Sequence, residues 1–150
     1  MSSRIKKADI HEACLVKQQE LIENFEMEIA SLKTELFSHD FSQSQSDSRS
    51  IERNELLARY ENELIFLTKE LQILKSIDPT EETEKVELGS VVVTDQRIFF
   101  VCVSIEQIEV NGQNIFGLSV SAPIFKAMNE VSKGDKLSFN GVDYKILDVY

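Results

Sequence analysis

Two amphipathic helical segments occupy the first half of the chain, and they constrain its fold more than any other feature. No glycine or proline interrupts residues 1–78. In each segment the large apolar residues recur mostly at alternating steps of three and four, the spacing that lines one narrow seam of a coiled coil. The seams consist of Leu15, Ile22, Phe25, Ile29, Leu32 and Leu36 in the first segment and of Leu57, Tyr60, Leu64, Leu67, Leu71 and Leu74 in the second.

A polar stretch at residues 38–50 separates the two seams and contains six serines. Serine competes for backbone hydrogen bonds and favours caps and turns, so this stretch predicts a break between two helices. Ser50 is a candidate cap for the second helix. Two amphipathic helices joined in this way are expected to fold back on each other. The sequence therefore predicts an antiparallel coiled-coil hairpin over residues 1–78, with its tip near residues 38–50.

The pattern changes after Pro79, which cannot continue a helix. Residues 79–85 form a short acidic linker, and β-branched and aromatic runs typical of strands follow. Asn111-Gly112 and Asn140-Gly141 each stand between two such runs and predict tight hairpins. One short helix is predicted over residues 122–131, with Pro123 in its first turn. The predicted fold class is α+β: a helical hairpin followed by a small, mostly antiparallel β domain with one helix at residues 86–150.

The charge balance narrows the classes of partner. The net charge is −10, and the parts before and after Pro79 contribute equally to it. An acidic surface repels phosphates, so autonomous binding to nucleic acid is not expected. The charge suits a basic protein partner, a cation site or solubility in general.

Cysteine usage and hydropathy bear on the compartment. Cys14 and Cys102 are far apart in the sequence and have no metal-ligand spacing. They indicate no disulfide framework, and a reducing compartment is expected. No apolar run follows the basic start, and none is long enough to span a bilayer. We therefore expect a cytoplasmic protein without membrane contact.

Residues able to perform chemistry are few. The chain has no phosphate-binding glycine loop and no CxxC pair. His11 and His39 are expected to face solvent rather than to serve a nucleophile. Asp40, Asp47 and Glu52 surround the predicted tip, where carboxylates could hold a divalent cation. Acids at the start of a helix are also ordinary structural features, because negative charge is favourable there.

Three stretches of the second half resemble the GreA/GreB transcription elongation factors. They are Leu118–Met128, with the sequence LSVSAPIFKAM, the turn at Lys133-Gly134-Asp135, and the closing run YKILDVY at residues 144–150. They are similar to the family's pattern of a strand, a Ser-Pro-Ile-type helix start, a Gly-Asp turn and a final strand. The run that starts at Val86 resembles the strand that opens the same domain.

The resemblance implies a fold and a partner. The C-terminal domain would be FKBP-like and would dock on RNA polymerase at the rim of its secondary channel, which the coiled coil enters. Ser119, Ser121, Pro123 and Ile124 match positions at or near the docking surface. Acids at the tip would help the polymerase hold a shared Mg²⁺ that activates a water for cleavage of backtracked RNA. The protein would need no cofactor of its own and would not itself be an enzyme.

Two positions depart from the family pattern, and they leave alternatives open. The family tip carries two acids three residues apart, whereas here Asp47 is followed at that spacing by Ser50. Ala122 stands where the family usually has serine. A regulator that occupies the channel without stimulating cleavage is therefore an alternative. Less favoured are an FKBP-like prolyl isomerase or chaperone and a purely structural coiled-coil linker. A monomer is expected, although the seams could also support a dimer.

Overall fold

The computed structural model describes residues 4–38 and 47–150, which contain two long helices followed by a six-stranded, mostly antiparallel sheet with one short helix. This architecture confirms the predicted fold class. The helices are α1 (Lys7–Ser38), α2 (Asp47–Ser76) and α3 (Pro123–Met128). The strands are β1 (Val91–Thr94), β2 (Ile98–Cys102), β3 (Ile105–Val110), β4 (Gln113–Ser119), β5 (Lys136–Phe139) and β6 (Val142–Val149).

The chain packs as two compact units. One unit consists of Gln18–Leu71, and the other combines Met1–Lys17 with Gln72–Tyr150. The sequence placed a boundary at residue 78, where helix propensity ends. The units divide elsewhere because the first residues of α1 and the last residues of α2 belong to the same compact unit as the sheet.

The Gln18–Leu71 unit is an antiparallel helix pair. The Gln18 side chain contacts Leu67, and the Phe25 ring meets the Tyr60 ring edge-to-face with centroids 5.7 Å apart. Each advance of seven residues along α1 is thus matched by a retreat of seven along α2, as in an antiparallel coiled coil. Leu32 and Leu67 are buried, which confirms that they are seam residues.

Gln18 is a buried polar residue within this seam. Its Nε2 donates to the Leu67 carbonyl oxygen at 3.0 Å and to Glu70 Oε1 at 3.4 Å, so its amide is satisfied without water. A polar group at a seam position penalises shifted pairings that would leave it unsatisfied. Gln18 therefore helps to fix the register of the two helices.

His11 occupies the equivalent position seven residues earlier, in the other unit. The prediction that it faces solvent is wrong: His11 is buried, and its Nε2 lies 2.6 Å from the Leu74 carbonyl oxygen. The physical reason is that the start of α1 and the end of α2 both contribute to the core of the sheet unit, where the His11 ring also lies 6.3 Å, between centroids, from the Phe100 ring. The other histidine, His39, lies outside the described residues.

The sheet has the strand order β3-β4-β2-β1-β6-β5. All neighbouring strands are antiparallel except β2 and β4, which run parallel. Asn111 and Gly112 both have positive φ, and so do Asn140 and Gly141. Positive φ at both central residues defines the type I′ turn, whose twist matches that of the flanking strands. Both predicted hairpins are therefore confirmed, as β3–β4 and β5–β6.

Two apolar clusters form the core of the sheet unit. The first includes Phe100 and Ile115 of the sheet together with Ile10 and Leu74 of the long helices. The second includes Phe99 and Tyr144, and residues of α3 pack against it. Adjacent residues of β2 enter different clusters because successive side chains of a strand point to opposite faces.

Two helix starts differ from the sequence predictions. The predicted cap, Ser50, lies inside α2, which begins at Asp47. An acid at the start of a helix is favourable by itself, so α2 does not need a serine cap three residues later. The short helix α3 spans Pro123–Met128 rather than residues 122–131. It ends before Glu130, whose φ of 65° is incompatible with a right-handed helix.

The segment before α1 is held to the sheet by polar contacts. Arg4 donates from Nε and Nη2 to the two carboxylate oxygens of Asp148 on β6, at 2.8 and 2.9 Å. Its guanidinium also lies 4.8 Å from the centre of the Tyr150 ring. Tyr150 Oη donates to the Ile5 carbonyl oxygen at 2.5 Å. A bidentate guanidinium–carboxylate pair is among the stronger polar contacts, so it anchors this segment.

This anchor predicts a pH dependence of stability. The hydrogen bond from Arg4 holds the pKa of Asp148 below its usual value. A carboxyl group with a lowered folded-state pKa stabilises the fold above its unfolded pKa of about 3.9. That contribution is lost as the pH falls through the lower folded value. Asp148→Asn should therefore flatten the acid side of a plot of Tm against pH, measured by thermal unfolding between about pH 3 and pH 7. Glu82→Gln, 3.6 Å from Arg4 and exposed, is the matched control and should change the curve less.

Gly117 on β4 is fixed by close packing. A Cβ atom there would lie 2.6 Å from the Val103 carbonyl oxygen and 2.7 Å from Ile105 Cβ. We expect Gly117→Ala to lower the free energy of unfolding by about 2–3 kcal/mol, because the edge strand must shift to make room. Gln107→Ala, an exposed change on the adjacent β3, should cost less than about 0.5 kcal/mol in the same denaturant titration. If both substitutions lower the free energy of unfolding equally, β3 can shift without cost and close packing does not require glycine at position 117.

Candidate protein-binding segment

The turn from β4 into α3 carries the four predicted docking residues. The Ser121 amide donates to Ser119 Oγ at 3.1 Å, and the Ala122 amide donates to the Ser119 carbonyl oxygen at 3.0 Å. Pro123 then begins α3, where its missing N–H costs no helical hydrogen bond. Ala122 caps the helix without a side-chain hydrogen bond. Backbone and hydroxyl contacts thus fix the turn without a charged group.

The four residues are brought together, but they differ in exposure. Ser121 and Pro123 are exposed, whereas Ser119 and Ile124 are half-buried. Ile124 packs against the second core cluster, so it contributes to the fold as well as to any surface. Val120, between the two serines, is 40% exposed and adds an apolar contact that the sequence analysis did not single out. The segment therefore offers a small surface of hydroxyl and apolar groups, and the docking roles stay predictions.

Of the three predicted tip acids, the structure describes the positions of Asp47 and Glu52. Asp40 lies outside the described residues. Asp47 begins α2, and Glu52 is an exposed residue five positions further along the same helix. At 3.6 residues per turn, these two positions are about 140° apart around the helix axis. Within residues 4–38 and 47–150, no group of three or more histidine, cysteine, aspartate or glutamate residues could hold a metal ion.

The described helices also bear on membranes. None of those in the part of the chain that the structure describes is long and apolar enough to cross a bilayer.

An open cleft of about 590 Å³ beside the β5–β6 hairpin was missed by the sequence analysis. Its acids already have partners: Asp95 Oδ1 accepts the Lys145 amide at 2.9 Å, and Asp143 accepts the Ser138 hydroxyl. Lys136 and Lys145 face each other across the two strands. The cleft forms from a turn and a hairpin that are distant in sequence, so no local signal could have predicted it. Its lining is Asp95, Lys136, Leu137, Ser138, Asp143, Tyr144 and Lys145.

Comparisons with known proteins found matches among solved structures. No family model and no curated protein matches the chain. Among solved structures, GreA factor homolog 1 (Gfh1) of Thermus thermophilus is 16% identical, with 91% of this chain and 94% of that chain covered at a TM-score of 0.37. A structure described as the transcription factor Gfh1 is 16% identical, with 92% of this chain and 94% of that chain covered at a TM-score of 0.36. Gfh1 of Thermus aquaticus is also 16% identical, with 93% of this chain and 95% of that chain covered at a TM-score of 0.38. Similarity at this level does not establish a family or a function.

Proposed function

We propose that this protein is a transcription elongation factor of the GreA/GreB type, which binds RNA polymerase through the Ser119–Ile124 segment. The helical hairpin enters the secondary channel and modulates elongation or the cleavage of backtracked RNA. The protein contributes binding and charge, and the polymerase performs the chemistry.

The observation that carries the proposal is the exposure of the segment that bears the family resemblance. Val120 and Pro123 of this segment are at the surface, so their apolar groups are available to a partner. The central part of a protein interface is more apolar than its polar rim, so exposed apolar groups in this segment suit the centre of a docking surface. The acidic hairpin gives a second reason, since a long acidic rod suits a partner with basic walls.

The prolyl isomerase reading receives less support. It needs an open aromatic pocket, but Phe99 and Phe100 are buried in the two core clusters. Phe116 and Phe139 are half-buried and pack against the second cluster. The aromatic residues of the sheet are therefore used for packing. Fold analogy without a matching pocket is a weak argument for an activity.

The tip favours a second candidate function, occupation of the channel without stimulated cleavage. Shared Mg²⁺ binding needs carboxylates that converge on one ion. Two acids three residues apart lie on one side of a helix, whereas positions 47 and 52 are five residues apart and about 140° from each other around the helix axis. Ser50, at the spacing of the second family acid, is a poor Mg²⁺ ligand.

RNA cleavage in halted complexes tests the two candidates. We expect the wild-type protein to stimulate cleavage less than about threefold across a Mg²⁺ titration, and to inhibit cleavage driven by an authentic cleavage factor. Asp47→Ala and Asp40→Ala should leave that inhibition unchanged. Strong stimulation by the wild type that collapses in Asp47→Ala would overturn the second candidate and favour an ordinary cleavage factor. If the protein neither binds polymerase nor alters cleavage, the proposal as a whole fails.

A further inference from the structure

The chain's two cysteines meet in the core of the sheet unit. Cys14 lies on α1 and Cys102 is the last residue of β2, and the two are 0% and 1% exposed. Both belong to the cluster that contains Ile10, Leu74 and Phe100. Neither forms a disulfide in the structure.

Their side chains interact directly. A hydrogen bond with the Cys14 side chain, together with burial, raises the pKa of the Cys102 thiol well above its ordinary value. Cys102 Sγ also lies 3.5 Å from the Val103 carbonyl oxygen, a second possible acceptor for the single thiol hydrogen. Apolar packing alone would not require two cysteines at this contact, since two valines would fill similar space. The pairing therefore places two potential redox groups side by side within one buried cluster.

We propose that Cys14 and Cys102 form an intramolecular disulfide when the protein meets a hydroperoxide. The link would join α1 covalently to β2 within one compact unit. This inference does not depend on the proposed function.

The chemistry balances with the hydroperoxide as oxidant. One thiolate attacks a peroxide oxygen, the O–O bond breaks, and a sulfenic acid forms with release of water or an alcohol. The second thiolate attacks the sulfenic sulfur, the S–S bond forms and the S–O bond breaks, with release of water. The two thiols lose two electrons and two protons, and the peroxide is reduced.

Burial determines when this reaction occurs. The oxidant reaches the thiols only when the unit opens locally, and the raised pKa of Cys102 keeps its thiolate rare. The disulfide therefore forms slowly, during sustained rather than brief exposure of the protein to a hydroperoxide. Once formed, the disulfide closes a long loop that contains the whole Gln18–Leu71 unit. Such a loop restricts the unfolded chain strongly, so the oxidised form is the more stable one.

The test is intact-mass analysis of the full chain after incubation with hydrogen peroxide, removal of the peroxide and alkylation under denaturing conditions. We expect a loss of about 2 Da, no alkylated thiol, monomer mobility on a non-reducing gel and full reversal by dithiothreitol. Tm should rise by roughly 10 °C in the oxidised protein. Cys14→Ala and Cys102→Ala should each abolish the mass loss and leave one thiol open to alkylation.

Three results would overturn the proposal. They are oxygen addition to either cysteine without loss of the two hydrogens, a disulfide between two chains, and a lower Tm after oxidation. Because the mass of the wild-type protein decides the first two, the test holds even if an alanine variant folds poorly.

Discussion

Replacing Leu67 with aspartate is expected to unfold the Gln18–Leu71 unit. Leu67 is 4% exposed in the seam, so the new carboxylate would lie in an apolar environment without a partner. An unpaired charge at such a site costs several kcal/mol, more than a single helix pair can supply. Leu32→Asp, at a buried seam position of α1, should have the same effect. The measurement is helix content by circular dichroism during thermal unfolding.

The chain supplies a matched control for each substitution. Ile65 lies two residues from Leu67 and is 55% exposed, and Met27 lies near Leu32 and is 70% exposed. Aspartate at these positions remains in water, so Ile65→Asp and Met27→Asp should change stability by less than about 1 kcal/mol. If the seam and surface variants lose helix to the same degree, the coiled-coil interpretation of the unit is wrong.

Loss of polymerase binding is the second large effect that we expect. Pro123→Glu combined with Ser121→Glu places two charges on exposed positions of the proposed docking segment. Truncating or repelling the centre of an interface typically costs 2 kcal/mol or more, so Kd should rise by more than about 30-fold. Both positions are exposed, so the fold should persist. The measurement is a titration of the full-length protein against core RNA polymerase.

Val142→Glu is the control for this pair. Val142 is 40% exposed on the same unit but lies on the β5–β6 hairpin, away from the segment in sequence. It should leave Kd within about twofold. Adding Ile124→Glu would strengthen the effect on binding, but Ile124 also packs against the core, so that variant needs a parallel measurement of Tm. Unchanged binding by the Ser121/Pro123 double variant would remove the segment from the interface.

Features set by neighbouring residues were predictable from the sequence. Asn111-Gly112 and Asn140-Gly141 determine their turns because both residues of each pair tolerate positive φ. Leu32 and Leu67 were placed correctly because a seam requires only periodic apolar residues. The helix start at Pro123 was predicted for the same local reason, whereas the docking roles of Ser119, Ser121, Pro123 and Ile124 rest on the family resemblance and stay predictions.

Features set by distant residues were not predictable. The burial of His11 was missed because the seam was traced through apolar residues alone, and histidine is polar. His11 nevertheless follows the seven-residue spacing of Gln18 and Phe25. The parallel pairing of β2 with β4 and the meeting of Cys14 with Cys102 depend on how the whole sheet packs. The acids near the tip have no periodic pattern to place them, and Asp40 lies outside the described residues.

The position of β6 has a consequence for synthesis on the ribosome. This strand comes last along the sheet unit, yet it lies between β1 and β5 and pairs with both. Without it, β1 exposes one edge and β5 has no neighbour in the sheet. Strands β1, β2, β4 and β3 can pair with one another as they emerge. The sheet is complete only when residues 142–149 have left the exit tunnel and β6 has paired with β1 and β5. Until then the nascent chain carries an open strand edge, which is a hazard for association with other chains. The helical pair, made entirely of earlier residues, can form before that point.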